Sequence, residues 1–371
     1  MATAPPATGT LERARPDDAG RTARATPWAL ALATLLLRLG AYVSPRHLSF
    51  DDGVYGASAV AMRAGGIPFR DVFSSQGPLF LPLVYLADLL GLRNAQSPRV
   101  LSLAAGLLLV LATWAISRRL SSRGRALVAP ALVATSGTVL WVTGPLTSDG
   151  PALALGTAAV ALALAHRRSP SIVRALLVGV AVGATLSVKS LLLGAVVAVA
   201  VAMWRNPRHL ALAALTSAAF GLALTLPFGL SEVWDQSVTY HLQAAGDRTP
   251  VANAVKVLWT LTYRDLPLLA LAGVCLVGLL VSRKLGRREV PGRTRWRPAG
   301  DRGLVVAWLV ATVVVLLLEH PLWRNHVSHL VPPAAILLST SAVPRRILVA
   351  CLAVSAPIHS LLIARLVLPA P

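Results

Sequence analysis

Apolar residues fall in long runs rather than in strict alternation, at 29–37, 100–116, 191–204, 304–318 and 347–358. Such runs approach the ~20 residues with which a helix crosses a bilayer. They predict eleven spans, near 27–44, 98–117, 126–143, 150–165, 172–188, 190–204, 209–228, 266–282, 303–320, 327–343 and 347–369. The two that flank Lys189 also read as one long helix, 172–204. Two long stretches, 45–97 and 229–265, stay outside the spans. In the first, Tyr55, Ala59 and Met62 recur at helical spacing behind Asp51-Asp52, which predicts a short helix on the membrane surface, ended by Gly65-Gly66 and Pro68. Residues 78–91 are too few to cross comfortably and include Asp88, so they predict a second interfacial helix.

The composition agrees with this pattern. Of 371 residues 55% are hydrophobic and 13% charged, against about 25% charged in soluble domains. Aromatic residues are only 5% and the apolar ones are mostly Ala, Val and Leu, which suits close helix packing rather than a β-barrel. The expected fold class is therefore an all-α polytopic membrane protein. Cys275 and Cys351 both lie in apolar runs, as small buried hydrophobes do, and leave the redox compartment open.

The net charge of +20 would suggest nucleic acid in a soluble chain, but its placement argues otherwise. With the N-terminus in the cytoplasm, the tail and alternate loops hold 23 of the 35 basic and 5 of the 15 acidic residues, a net +18; the rest of the chain is +2. That asymmetry is the positive-inside signal, not a nucleic-acid footprint. Residues 1–26 read as a disordered cytoplasmic tail, 27–371 as one transmembrane domain and 283–302 as a basic cytoplasmic loop. The loops 45–97 and 229–265 then face outward from the plasma membrane, and with Asp149 and Glu319 the outer face holds ten of the fifteen acids. No internal repeat is visible, and no Gly-rich phosphate loop or nucleotide fingerprint.

From Phe50 the first outer loop reads FDDGVYGASAVAMRAGGIPFRDVFSSQGPLF. An acidic pair after the first span, a surface helix with a Tyr, a Gly-Gly-x-Pro turn, an Asp-Val-Phe segment and a Pro-Leu-Phe helix together resemble the first outer loop of GT-C glycosyltransferases. The resemblance is to the protein O-mannosyltransferase and aminoarabinose transferase type, whose donors are polyprenyl-phosphate sugars. It is specific from residue 50 to about 120 and weaker but collinear through Thr147-Ser148-Asp149-Gly150, residues 186–189 and the His-x-x-His-x-x-Pro-Pro stretch 326–333.

The resemblance implies sugar transfer at the outer face, inverting, from a lipid-phosphate donor to a hydroxyl on a lipid, glycan or protein acceptor. It places Asp51 as the catalytic acid of the pair, with Asp52 second and Asp149 as a further acid. Read from the residues alone, Asp51 equally caps the surface helix, and Asp149 starts a helix from an Asp-Gly turn. A leaving lipid phosphate needs positive charge or donors, for which Lys189, Arg324, His326 and Arg38 are the candidates. Each also reads as an interfacial anchor. Tyr55, Gln76, His329, Tyr240 and His241 are candidate substrate contacts. The resemblance breaks where its nearest members carry Lys-Pro-Pro and this chain has Gln76-Gly77-Pro78. His326 and His329 can share a ligand face with Glu319 or His320, but the spacing is a weak signal, so no tightly bound metal is expected; a loosely held divalent cation beside Asp51 or Asp52 is the alternative. A transporter or lipid flippase is the competing class, and would set its polar residues along a mid-membrane pathway rather than in outer loops.

Overall fold

The computed structural model describes residues 16–43, 48–91, 98–122, 124–243, 249–284, 300–341, 346 and 353. Helices α1 (Pro16–Val43), α2 (Phe50–Arg63), α3 (Phe80–Leu90), α4 (Arg99–Leu120), α5 (Val128–Thr135), α6 (Gly137–Thr143) and α7 (Asp149–Arg168) lead into α8 (Ile172–Val188), α9 (Leu193–Met203) and α10 (Pro207–Thr225). Three short helical pieces follow, α11 (Leu230–Trp234), a π-helical turn (Asp235–Thr239) and α12 (Tyr240–Gln243). Then come α13 (Pro250–Lys284), α14 (Gly300–Leu318), a 3₁₀ helix (Arg324–Leu330) and α15 (Val331–Thr340). The chain is a multi-pass helical membrane protein.

Among the described residues four helices are long and apolar enough to cross a membrane: 99–120, 149–168, 207–228 and 301–318. Shorter apolar helices at 26–39, 80–90, 172–188 and 193–203 accompany them, so eleven full spans do not follow. The span read at 126–143 is broken at Ser136, whose hydroxyl accepts from Val139 N and caps α6. The pair around Lys189 is two helices, parted where Lys189 turns extended. The span read at 327–343 begins as 3₁₀ helix. Its last companion, 347–369, lies outside the described residues apart from 353, as do 1–15, 285–299, Asp247, Arg248 and Cys351.

Two expectations are corrected. Residues 16–26, read as part of the tail, continue α1: Pro16 occupies the start, where its missing N–H costs nothing, and Ala and Arg favour helix. Most of 229–265, read as loop, is helical. In α13 the polar side chains Asn253, Thr260 and Asp265 are buried while Val251, Val255, Leu258, Trp259 and Tyr263 face outward. That is an amphipathic helix turned inside out, as a lipid-facing helix is, and its polar residues hid it from a hydropathy count.

Helix α7 is the centre of the bundle, packed by α4 on one side and α8 and α9 on another, with α10 outside α8 and α14 outside α9. Small residues set the separations. A Cβ on Gly179 would stand 2.5 Å from Ala213 O, and one on Gly194 would stand 2.2 Å from Thr312 Oγ1, so these helices approach backbone to side chain, as membrane helices do. Helix α10 buries little beyond Ala213 and turns Leu215 and Leu222 outward.

The two ends of the bundle differ in chemistry. At one end Arg168 donates to Arg119 O, Arg125 to Ser341 O and Arg302 to Thr340 O, while Arg167 pairs with Asp301 at 3.2 Å. These guanidiniums sit on the C-terminal carbonyls of α4 and α15, where the helix dipole favours cations. The opposite end of α4 carries Arg99, about 30 Å away at 1.5 Å per residue, and there α2, α3 and the acidic residues gather.

Candidate active site

Helix α2 is started by a capping box. Ser49 Oγ accepts from Asp52 N at 3.1 Å, and Asp52 Oδ2 accepts in return from Ser49 N at 2.8 Å and Ser49 Oγ at 2.9 Å. The same carboxylate receives Arg99 twice, Nε to Oδ1 at 3.0 Å and Nη2 to Oδ2 at 2.7 Å, and Leu146 N at 2.8 Å. Asp52 is thus buried and fully occupied in pinning α2 to α4 and to the turn before α7. The expectation of a catalytic Asp52 is corrected by this geometry, which leaves neither oxygen to take a proton. The cap weighed for Asp51 is likewise made by Ser49.

Asp51, one position earlier in the first turn of α2, is half-buried and faces Asp149 and Lys189. Burial, with the negative charges of Asp149 and Asp52 and against the pull of Lys189, pushes its carboxyl up to about 6. Tyr55, one turn on, hydrogen-bonds the side chains of Ser148 and Gln76 and sets its ring edge-on to Phe80 at 4.6 Å. Burial and the nearby carboxylates push its phenol up.

Beneath this lies a buried cluster. Asp149 begins α7 in a turn where Thr147 Oγ1 donates to Val142 O and a Cβ at Gly150 would meet that same carbonyl at 2.3 Å. Its Oδ1 is 2.9 Å from Lys189 Nζ, 3.2 Å from His329 Nε2 and 3.8 Å from His326 Nε2. Lys189 Nζ is also 2.9 Å from His326 Nε2, and His326 Nδ1 contacts Glu319 Oε1. Burial and the Lys189 charge hold His326 below its ordinary range, so it is a neutral ring that accepts from the ammonium.

The chain break that frees Lys189 is filled by the first loop. Gly77 N donates to Val188 O at 3.2 Å and Leu79 N to Ser187 O at 2.9 Å, so Gln76-Gly77-Pro78 caps the C-terminus of α8. A Cβ at position 77 would lie 2.3 Å from Ser187 O. The departure from Lys-Pro-Pro is therefore a backbone matter as well as a lost charge: the docking uses an N–H that proline lacks and room that only glycine leaves.

The second loop closes over the first. Gln236 Oε1 accepts from Ser74 N at 2.9 Å, Ser237 donates to Gln76 O at 3.0 Å, His241 Nε2 lies 2.8 Å from Ser75 O, and Tyr240 packs on Phe73 at 5.3 Å. Tyr240 and His241 thus reach the segment that carries Gln76. Gln236 and Ser237 had no motif to reveal them, and Glu319 was visible only as a neighbour of the histidines.

Two expected phosphate ligands fall elsewhere. Arg38 is fully buried, donating to Thr143 Oγ1 at 2.8 Å and to Thr34 O at 3.3 Å, in a slot made by Gly106. It joins α1 to α4 and α6, and its Nη2 is buried with no hydrogen-bond partner among the described residues. Arg324 stands exposed at the start of the 3₁₀ helix, beside Arg264, which stacks on Trp141 at 4.2 Å. Among the described residues no group of three His, Cys, Asp or Glu side chains has the geometry to hold a metal ion; the ammonium of Lys189 lies between Asp149 and His326.

No protein-family model and no curated protein matches the chain. Solved structures do. ArnT from Cupriavidus metallidurans bound to undecaprenyl phosphate superimposes with a TM-score of 0.57 at 14% identity, over 88% of this chain and 60% of that one. The arabinosyltransferase EmbB from Mycobacterium smegmatis gives 0.57 at 17% identity, over 90% and 31%. The oligosaccharyltransferase AglB from Archaeoglobus fulgidus, in complex with an inhibitory peptide and a dolichol-phosphate, gives 0.53 at 12% identity, over 92% and 55%. The chain has the GT-C fold of these membrane transferases and spans about three fifths of ArnT's length or less of the others.

Proposed function

We propose that the protein is a glycosyltransferase that moves a sugar from a polyprenyl-phosphate donor to a hydroxyl acceptor at the outer face of the plasma membrane, with inversion. The observation that carries the reading is the pairing of a half-buried Asp51, pushed up to about 6, with the Lys189 ammonium in one site. A carboxylate near that range is ionised at neutral pH yet basic enough to take a proton in a transition state. Asp51 removes the acceptor's hydroxyl proton as its oxygen bonds to the anomeric carbon. The bond from that carbon to the phosphate oxygen breaks, and the lipid phosphate leaves with the electron pair, held by Lys189. Asp149 pairs with Lys189 at 2.9 Å in a buried place, and Tyr55, Gln76 and His329 line the same site.

The lipid-phosphate donor is supported by the fold shared with proteins solved with undecaprenyl phosphate and dolichol-phosphate. The positive charge already fixed by Lys189 supports chemistry without a tightly bound metal; a divalent cation would have to be shared between Asp51 and the donor. The sequence asymmetry of basic loops supports a cytoplasmic N-terminus with the site outside. The test is to give purified protein a labelled polyprenyl-phosphate sugar and follow released polyprenyl phosphate. Slow release without acceptor, lost in Asp51→Asn, is expected. An intact donor carried across vesicles would instead favour a flippase.

A further inference from the structure

Four arginines meet at the end of the bundle away from Asp51, where α4 and α7 finish and α8 begins. Arg118 and Arg119 lie in the last turn of α4, Arg168 closes α7, and Arg174 is in the first turn of α8. Arg168 Nη2 donates to Arg119 O at 2.6 Å, which brings the ends of α4 and α7 together. The charges that act on the Arg119 guanidinium are those of Arg118, Arg168 and Arg174, all of its own sign. Arg167, in contrast, has a carboxylate at Asp301.

Helix ends account for part of this grouping. The carbonyls that finish α4 and α7 favour cations, but Arg174 stands at the positive end of α8, where an anion is favoured. A guanidinium carries five N–H donors. Among the described residues Arg119 uses one on Ala115 O at 2.7 Å, Arg168 one on Arg119 O, and Arg174 one on Ser169 O. Arg118 sits over the Trp114 ring at 4.7 Å. The surface beside the cluster is apolar: Ile172 and Val173 are 60% and 65% exposed, and with Leu176, Leu177 and Val180 they make an outward stripe that starts at the turn of Arg174. On a membrane helix such a stripe faces acyl chains.

We propose that Arg118, Arg119, Arg168 and Arg174 form a headgroup site for an anionic phospholipid, whose acyl chains run along the stripe from Ile172 to Val180. In the orientation proposed above the lipid belongs to the cytoplasmic leaflet, and the site is independent of the donor reading. Its phosphate relieves the repulsion among the four guanidiniums and supplies the negative charge that the first turn of α8 favours. The donor fork of arginine matches a pair of phosphate oxygens. A headgroup that brings its own ammonium, as phosphatidylcholine does, adds a like charge to the cluster. Phosphatidylglycerol brings none, so the site discriminates between the two.

The experiment titrates the immobilised full chain in detergent with radiolabelled phosphatidylglycerol or phosphatidylcholine and measures the lipid retained. A basic side chain at a membrane surface is worth about fivefold in affinity. Arg119→Gln with Arg174→Gln should therefore weaken phosphatidylglycerol about 25-fold and phosphatidylcholine far less. Arg205→Gln with Arg208→Gln removes the same charge beside the start of α10 and should change either affinity by less than about threefold, since those side chains lie outside the cluster. Equal losses in the two double variants would mean general attraction to a basic face and overturn the site. Displacement of phosphatidylglycerol by excess inorganic phosphate as complete as by unlabelled phosphatidylglycerol would make it a site for soluble anions and overturn the lipid. Without added lipid, the Arg119/Arg174 variant should melt at or above the wild-type midpoint, because like charges have been removed. A lower midpoint would assign these guanidiniums to the fold rather than to a ligand, and would overturn the proposal.

Discussion

Asp52 and Arg99 form a two-pronged buried ion pair, at 3.0 and 2.7 Å, that ties the first turn of α2 to the start of α4. Asp51 is the neighbour of Asp52 in sequence and differs from it in every physical respect: half-buried where Asp52 is enclosed, pushed up where Asp52 is saturated by donors. Removing one partner of a buried pair strands the other charge, at a cost of about 3–5 kcal/mol. Asp52→Ala and Arg99→Ala should each lower the thermal midpoint in detergent by several degrees, and the double variant should cost much less than the two together. Additive losses would show that the pair does not anchor α2.

Asp51 should behave in the opposite way. A general base works when ionised, so the transfer rate should fall as pH drops through about 6, where its carboxyl takes up a proton. Asp51→Asn keeps the shape, leaves the Ser49–Asp52 cap untouched and should slow transfer about 10²–10⁴-fold with the thermal midpoint unchanged. The acid limb should vanish from the residual rate. A limb that survives in the Asn variant belongs to another group.

Gly77 and Gly53 make a matched pair for testing how the first loop is seated. A methyl at 77 would meet Ser187 O at 2.3 Å, whereas one at 53 has nothing within 4 Å. Gly77→Ala should lift the Gln76 segment off α8, disturb Lys189 next to it, and cost about 1–3 kcal/mol, the range for forced overpacking. Gly53→Ala lies inside α2 and should be neutral or stabilising by about 0.5–1 kcal/mol. Melting curves and transfer rates of the two variants decide it; equal effects would mean that the loop does not dock as described.

The fold class and the outline of the first loop were legible because both rest on local patterns. Runs of Ala, Val and Leu mark helices in a membrane, and Gly65, at φ +97°, ends α2 where its lack of a side chain makes that turn easy. Asp149, Lys189, His326 and His329 were legible as residues, and their meeting was not: it depends on Gly77 approaching Ser187 and on the 3₁₀ turn that carries both histidines. Asp52 and Arg38 misled for the same reason. Each is a charged residue at a suggestive position, and each is held in place by a partner, Arg99 or Thr143, that sequence separation of 47 and 105 residues conceals. The outward-turned helix 250–264 escaped because its polar face is the buried one.

Topology can be tested independently of activity. Reporter fusions after residues 120, 290 and 346 should report cytoplasm, and fusions after 70 and 245 the opposite side, as the net +18 of the basic loops requires. The arginines at 119, 125, 167, 168 and 302 sit together at the end of the bundle away from Asp51, so the two sets of fusions must disagree. A cytoplasmic signal at 70 would place the acidic loop on the wrong side for a lipid-phosphate donor displayed outside.

The phosphate end can be separated from mere anchoring by comparing Lys189 with Arg324. Lys189 lies inside the cluster with Asp51; Arg324 is exposed beside Arg264 and outside it. Losing a charge-assisted contact costs roughly 1.5–3 kcal/mol, so removing Lys189 should weaken undecaprenyl phosphate binding about 10- to 150-fold, and Arg324→Ala should weaken it far less. A plain Lys189→Ala would strand the buried Asp149, and misfolding would then imitate lost binding. Pairing Lys189→Met with Asp149→Asn removes both charges together, so the net charge and the packing stay close to the original. That double variant should hold its thermal midpoint within a few degrees while losing the donor. Retained affinity in it, with Arg324→Ala impaired, would move the phosphate from the Asp149 cluster to the start of the 3₁₀ helix, and Asp51 would then need to reach its substrate from the other side of His326.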